Sequence, residues 1–167
     1  SFADIARSLL AEADIDTAHM TTDQTANTGT ATILVDTDSG DNAIVVDTGA
    51  CREITTGHID AAAECIRKAD VFVCQLELPL AVCEHAIAIA HASGVPVILN
   101  PAPALELPQS LYASVDYLTP NESEAEILVG HAVKSDAQVA AAANTLRERG
   151  VDHVLITLGE RGVYLDS

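Results

Sequence analysis

Three groups of residues in this chain could do chemistry, and each follows a short apolar run. Asn121 and Glu124 lie three residues apart just after Val115-Asp116-Tyr117-Leu118 and Thr119-Pro120. Pro120 disfavours helix at Thr119 and suits a helix start, so the segment predicts strand, tight turn, helix, with both side chains on one helical face beside a strand end. Acids in a first helical turn also complement the helix dipole, and that plain explanation covers Glu122 and Glu124 equally well at this level. The sharper expectation is that Asn121 touches a phosphate oxygen or its waters while Glu124 holds a hydrated magnesium ion. Magnesium favours few carboxylates and several retained waters.

Glu77 follows Val71-Phe72-Val73-Cys74 in an otherwise apolar stretch. A buried carboxylate there needs either a salt-bridge partner or the hydroxyl groups of a ligand such as a sugar. The third group is Thr157-Leu158-Gly159-Glu160-Arg161-Gly162, after the run from Val151 to Ile156. Its glycines let the backbone approach a flat ligand and Thr157 offers a hydroxyl where a nucleotide could lie, although a T-x-G-x-x-G segment is also a plain hairpin turn. Rossmann and Walker A patterns are absent.

The elements that must position these groups are legible in the apolar spacing. Ser1 to Ile15 predicts an amphipathic helix, and Thr30 to Val35 with Ala43 to Val46 predicts a hairpin around a polar turn. Thr55 or Thr56 starts a helix running to Lys68, and Pro79 opens another that ends at Gly94. Strands are predicted at 71–74, 95–99, 115–118 and 151–157, and helices at 121–129 and 136–149. Continuous apolar strands alternating with helices imply an α/β fold with a mainly parallel sheet covered on both faces. The first hairpin does not fit that sheet and is expected to project as an antiparallel lid.

The 167 residues suffice for one ordinary domain with its own core. Acids outnumber bases by 25 to 8, for a net charge of −17, a field that makes nucleic acid and anionic membranes poor partners. The acids are scattered, as in a protein kept soluble in a salty cytoplasm where screening removes self-repulsion. No apolar run approaches the roughly 18 residues needed to span a bilayer and no signal peptide is visible, so a cytoplasmic location is expected. Cys51, Cys65, Cys74 and Cys83 form no C-x-x-C pair and are expected to be mostly buried free thiols. The chain opens at Ser1 already inside a helical pattern and stops just after an apolar run, so it is expected to be a fragment.

In order, Thr28-Gly29-Thr30-Ala31, Gly49-Ala50, Gln75-Leu76-Glu77-Leu78-Pro79, Asn100-Pro101-Ala102-Pro103-Ala104, Pro120-Asn121-Glu122-Ser123-Glu124-Ala125-Glu126 and Thr157 to Gly162 resemble the phosphofructokinase B family of sugar kinases, and within it the ribokinase branch. The resemblance implies a ribokinase-like three-layer α/β/α sandwich with a small antiparallel β lid, the lid at about 28–48 and the core at about 55–167. It implies ATP-dependent phosphorylation of the 5-hydroxyl of D-ribose, with Glu77 on the sugar, Asn121 on the ATP phosphates, Glu124 on hydrated magnesium and Thr157, Leu158, Gly159, Glu160, Arg161 and Gly162 on the nucleotide. A homodimer through the lid, and potassium dependence of the complete protein, are further implications.

Other implied features have no match in the chain. They are an N-terminal paired-glycine and Asn segment for the sugar, a C-terminal Gly-Ala-Gly-Asp stretch with the catalytic Asp, and the monovalent-cation loop. No catalytic residue is therefore assigned within 1–167, and the segment alone is expected not to turn over. Cys51 stands where an Asn usually follows Gly-Ala. A kinase for another sugar or nucleoside is the near alternative, and a non-catalytic nucleotide-binding or dimerisation module the distant one.

Overall fold

Continuous apolar strands separated by helices build, in a computed structural model that describes residues 2–167, a five-stranded sheet and a separate two-stranded one. The elements are α1 (Phe2–Glu12), β1 (Thr30–Val35), β2 (Asn42–Asp47), α2 (Thr56–Arg67), β3 (Phe72–Cys74), α3 (Leu80–Ala92) and β4 (Val97–Leu99), then α4 (Gln109–Tyr112), β5 (Tyr117–Leu118), α5 (Glu122–Val129), α6 (Asp136–Glu148), β6 (His153–Thr157) and β7 (Val163–Asp166). Neighbours in the large sheet follow chain order, β3 to β7, with β3 to β6 parallel and β7 antiparallel at the edge. The α/β class and mainly parallel sheet are as the apolar alternation predicts. Of the helix expected over residues 1–15, Ser1 lies outside the described residues and α1 stops at Glu12, shortly before Asp14 adopts a φ of 55°.

Cross-strand partners share a face, so the register places Phe72 with Val97, Leu99 with Cys74 and Leu118, Leu118 with Val154, and Ile156 with Tyr164 on one side. Val97, Leu99, Leu118, Val154 and Ile156 are fully buried there and join one core with α3, α5 and α6. The helices meet that core because their apolar residues recur on one face, as with Val139, Ala142, Ala143 and Leu146 of α6. Small residues at those positions let the helix approach the sheet closely. On the opposite side of the sheet lie Val73, Ile98, Tyr117, His153, Leu155 and Leu165, with Val73 and Leu165 exposed and Tyr117 stacked on His153 at 4.6 Å. Of the helical layers expected on both faces, the described residues therefore build the one over the buried side.

All four cysteines are free, but the expectation of burial holds only for Cys83. Cys51 and Cys74 are half-buried and Cys65 is exposed, because the face a short apolar run turns inward depends on what packs against it. Burial, with Cys83 nearby, pushes the Cys74 thiol from 9.0 up to about 12. A chain unfolded in that interval ionises while the folded one does not, so stability is intact below about pH 9 and falls as pH rises toward about 12, by at most ~1.4 kcal/mol per pH unit. Urea unfolding on both sides of that window should show the slope in the natural chain and a shallower one in Cys74→Ala.

The hairpin β1–β2 stands apart from the large sheet, as expected, and none of its strand residues is buried. Two glycines hold its base. A Cβ on Gly49, whose φ is 48°, would run into Asn27 O and Gly29 N, and the Ala50 N–H donates to Asn27 O at 2.8 Å. Only glycine permits this crossing of the two chain segments.

Candidate functional site at the strand ends

Because β3 to β6 are parallel, the loops that follow them leave from one edge, where open α/β sheets hold ligands. Their order along it is Gln75-Leu76-Glu77, then Asn100 to Ala104, then Pro120 to Glu124, then Thr157 to Gly162. Backbone hydrogen bonds lash neighbouring loops together: Asn100 N to Cys74 O at 3.0 Å, Leu76 N to Ala102 O at 2.9 Å, and Thr157 N to Pro120 O at 2.9 Å. The polar clusters expected on one edge thus form a continuous rim.

Asn121 is the N-cap of α5 and makes a reciprocal capping pair with Glu124. The Glu124 N–H donates to Asn121 Oδ1 at 2.8 Å, and the Asn121 N–H donates to Glu124 Oε2 at 2.7 Å. The structure also sorts the acids of this segment. Glu122 meets Arg161, and Glu126 accepts from the Val133 N–H at 2.9 Å, which closes the far end of α5. Glu124, at the helix start, accepts from the Asn121 N–H through Oε2 and has no basic partner among the described residues, which leaves Oε1 free for a ligand. One carboxylate beside open solvent fits magnesium, which keeps most of its waters. Among the described residues no group of three or more metal-ligating side chains converges anywhere.

Thr157 to Gly162 is the turn of an antiparallel hairpin joining β6 to β7, so the plain reading of that motif holds for its backbone. Gly159 and Gly162 take φ of 57° and 88°, and a Cβ on either would meet nothing within 4 Å. The surface over the turn is therefore open to a flat ligand. Arg161 does not face that space: its guanidinium donates to Glu122 at 2.5 Å and to Asp136 at 2.8 Å. It clasps the turn to the first residues of α5 and α6, a positioning role that the sequence motif did not reveal. Leu158 packs on the core, Thr157 is exposed, and Glu160 has no partner among the described residues.

Glu77 is exposed, contrary to the expectation of a buried charge, because Leu76 takes the inward position beside it. It lines a hollow of about 570 Å³ with Leu76, Pro79, Ala102 and Pro103 from the strand-end loops and Ile44, Val46 and Thr48 from the hairpin. The hairpin register puts Ile44 and Val46 on one face, so that face of the lid looks onto Glu77. Arg52, which motif reasoning passed over, lines the same hollow. Cys51 instead lines a second hollow of about 430 Å³ bordered by α1 and α2.

One edge of the parallel sheet thus carries the hollow with Glu77 beneath the hairpin and, farther along, the capped start of α5. The chain belongs to the pfkB family of carbohydrate kinases, whose description matches residues 1–167. It is 41% identical over 152 residues to a ribokinase of Staphylococcus aureus, covering 91% of this chain and 50% of that protein. A deoxyribokinase of Salmonella typhimurium is 38% identical over 149 residues, covering 89% and 48%. The structure of an Arabidopsis thaliana ribokinase complexed with ribose and ATP superposes with a TM-score of 0.76 at 28% identity, over 95% of this chain and 53% of that one. The chain therefore spans about half the length of these relatives. Among the described residues no helix is long and apolar enough to cross a membrane.

Proposed function

We propose that the full-length protein transfers the γ-phosphoryl group of ATP to the 5-hydroxyl of D-ribose. The observation that carries this reading is the order of groups along the rim: the lidded hollow with Glu77 at β3, Asn121 and Glu124 at β5, and the open glycine turn at β6–β7. Glu77 and Asn121 follow β3 and β5, which flank β4, and two strand spacings of roughly 4.8 Å leave room for a sugar next to a terminal phosphate. The relative solved with ribose and ATP supports the same pairing of ligands.

In this reading the Glu77 carboxylate accepts hydrogen bonds from sugar hydroxyls and orients the ring, while Ile44 and Val46 close over it and exclude water. Asn121 meets the phosphate oxygens or their waters, and the turn from Thr157 to Gly162 supports the nucleotide, held in place by Arg161. Glu124 would hold magnesium through water, and the bound ion neutralises charge on the transferring phosphate. Potassium dependence, a cytoplasmic setting and a homodimer are part of the proposal. The outward face of the hairpin, with Leu34 and Val45 exposed, supports pairing through the lid.

The test is steady-state kinetics of the full-length protein with ATP and magnesium across a panel of pentoses. Ribose should give the highest kcat/KM, and Glu77→Ala should raise the ribose KM by about 10- to 100-fold, the cost of losing hydrogen bonds to a charged group. Preference for 2-deoxyribose would favour the second reading, which the deoxyribokinase relative supports. Binding of ATP without turnover of any sugar would instead point to a non-catalytic module.

A further inference from the structure

Arg52 sits in the short 3-10 turn Gly49–Glu53 that follows the hairpin, and its side chain lines the same hollow as Glu77. Among the described residues every other arginine has a hydrogen bond or ion pair, whereas Arg52 has none. Arg52 is exposed, so its guanidinium is free to meet a ligand in the hollow. Among the described residues Glu77 has no ion-pair partner either, so the two opposite charges border one hollow without closing on each other. Thr48 lines the same hollow, and its hydroxyl oxygen is shielded from solvent and has no hydrogen-bond partner among the described residues. The remaining lining is largely apolar, from Ile44, Val46 and Leu76.

We propose that Arg52, with Thr48 beside it, is the donor wall of the substrate hollow and determines which sugars it takes. This rests on reading the hollow as the sugar site. Glu77 can only accept and Arg52 can only donate, so a ligand between them must present hydroxyl protons on one side and bare oxygens on the other. A carbohydrate does both. A ring or carbonyl oxygen satisfies the guanidinium, and a carboxylate satisfies it better through paired charge-assisted hydrogen bonds. The chemical class is a pentose or a pentose-derived acid, with the acid as a competing ligand.

The experiment uses the full-length protein and measures ribose KM and kcat, together with competitive inhibition by D-ribonate and by neutral D-ribitol, in Arg52→Gln, Arg52→Lys and Glu77→Ala. In Arg52→Gln the ribose KM should rise about tenfold, the loss falling on KM more than on kcat. The natural protein should bind ribonate more tightly than ribitol, and Arg52→Gln should abolish that preference while Arg52→Lys keeps part of it. A raised KM in Glu77→Ala with an unchanged one in Arg52→Gln would overturn the role of Arg52 alone. Unchanged values in both variants would remove the hollow itself from sugar binding.

Discussion

Glu124→Gln in the full-length protein should lower kcat by about 100-fold or more, in line with the loss of one preorganised electrostatic group at a transition state. The substitution is chosen because it separates two roles that coincide in this side chain. Glutamine keeps an acceptor oxygen for the Asn121 N–H, now 2.7 Å from Glu124 Oε2, so the cap of α5 survives. The negative charge that would hold hydrated magnesium is removed. Thermal unfolding should shift little, while the magnesium concentration giving half-maximal rate should rise. If kcat and the magnesium dependence both match the natural protein, Glu124 is a helix cap and nothing more.

The largest structural effect should come from Leu99→Ala. Leu99 is fully buried at the end of β4, paired with Cys74 on one side and Leu118 on the other. Replacement leaves a cavity in the middle of the sheet, where two flanking strands and the helices above cannot all move inward. The expected loss is about 2–5 kcal/mol, a large share of the roughly 5–15 kcal/mol that stabilises ordinary domains. Urea denaturation would measure it directly. A loss well under about 1 kcal/mol would mean the site collapses freely and the core is not close-packed there. Because Asn100 follows at once and donates to Cys74 O, the same cavity should disturb the floor of the hollow.

Much of the architecture is readable before folding because it is decided within a few residues of chain. Pro120 and Asn121 mark the start of α5 and Thr55 that of α2, each through backbone preferences or a local hydrogen bond. The strands show as continuous apolar runs, and their parallel order places Glu77, Asn121 and Thr157 on one rim without further information. Even the capping pair of Asn121 and Glu124 is a local event.

What the chain order leaves undecided is which surfaces meet. Leu76 took the buried position and left Glu77 on the wall of a hollow. Cys65 and Cys83 lie in similar apolar patterns, yet one faces solvent and the other faces Gln75 O at 3.4 Å. Arg161 reads as part of a nucleotide motif but is claimed by two acids 25 and 39 residues away. Arg52 carries no motif at all and stands out only because it lines the same hollow as Glu77, 25 residues away. Short-range preferences of proline, glycine and apolar spacing determined the elements and their order. Burial, ion pairing and the shape of the hollow depend on contacts between distant segments, and only the tertiary structure decided them.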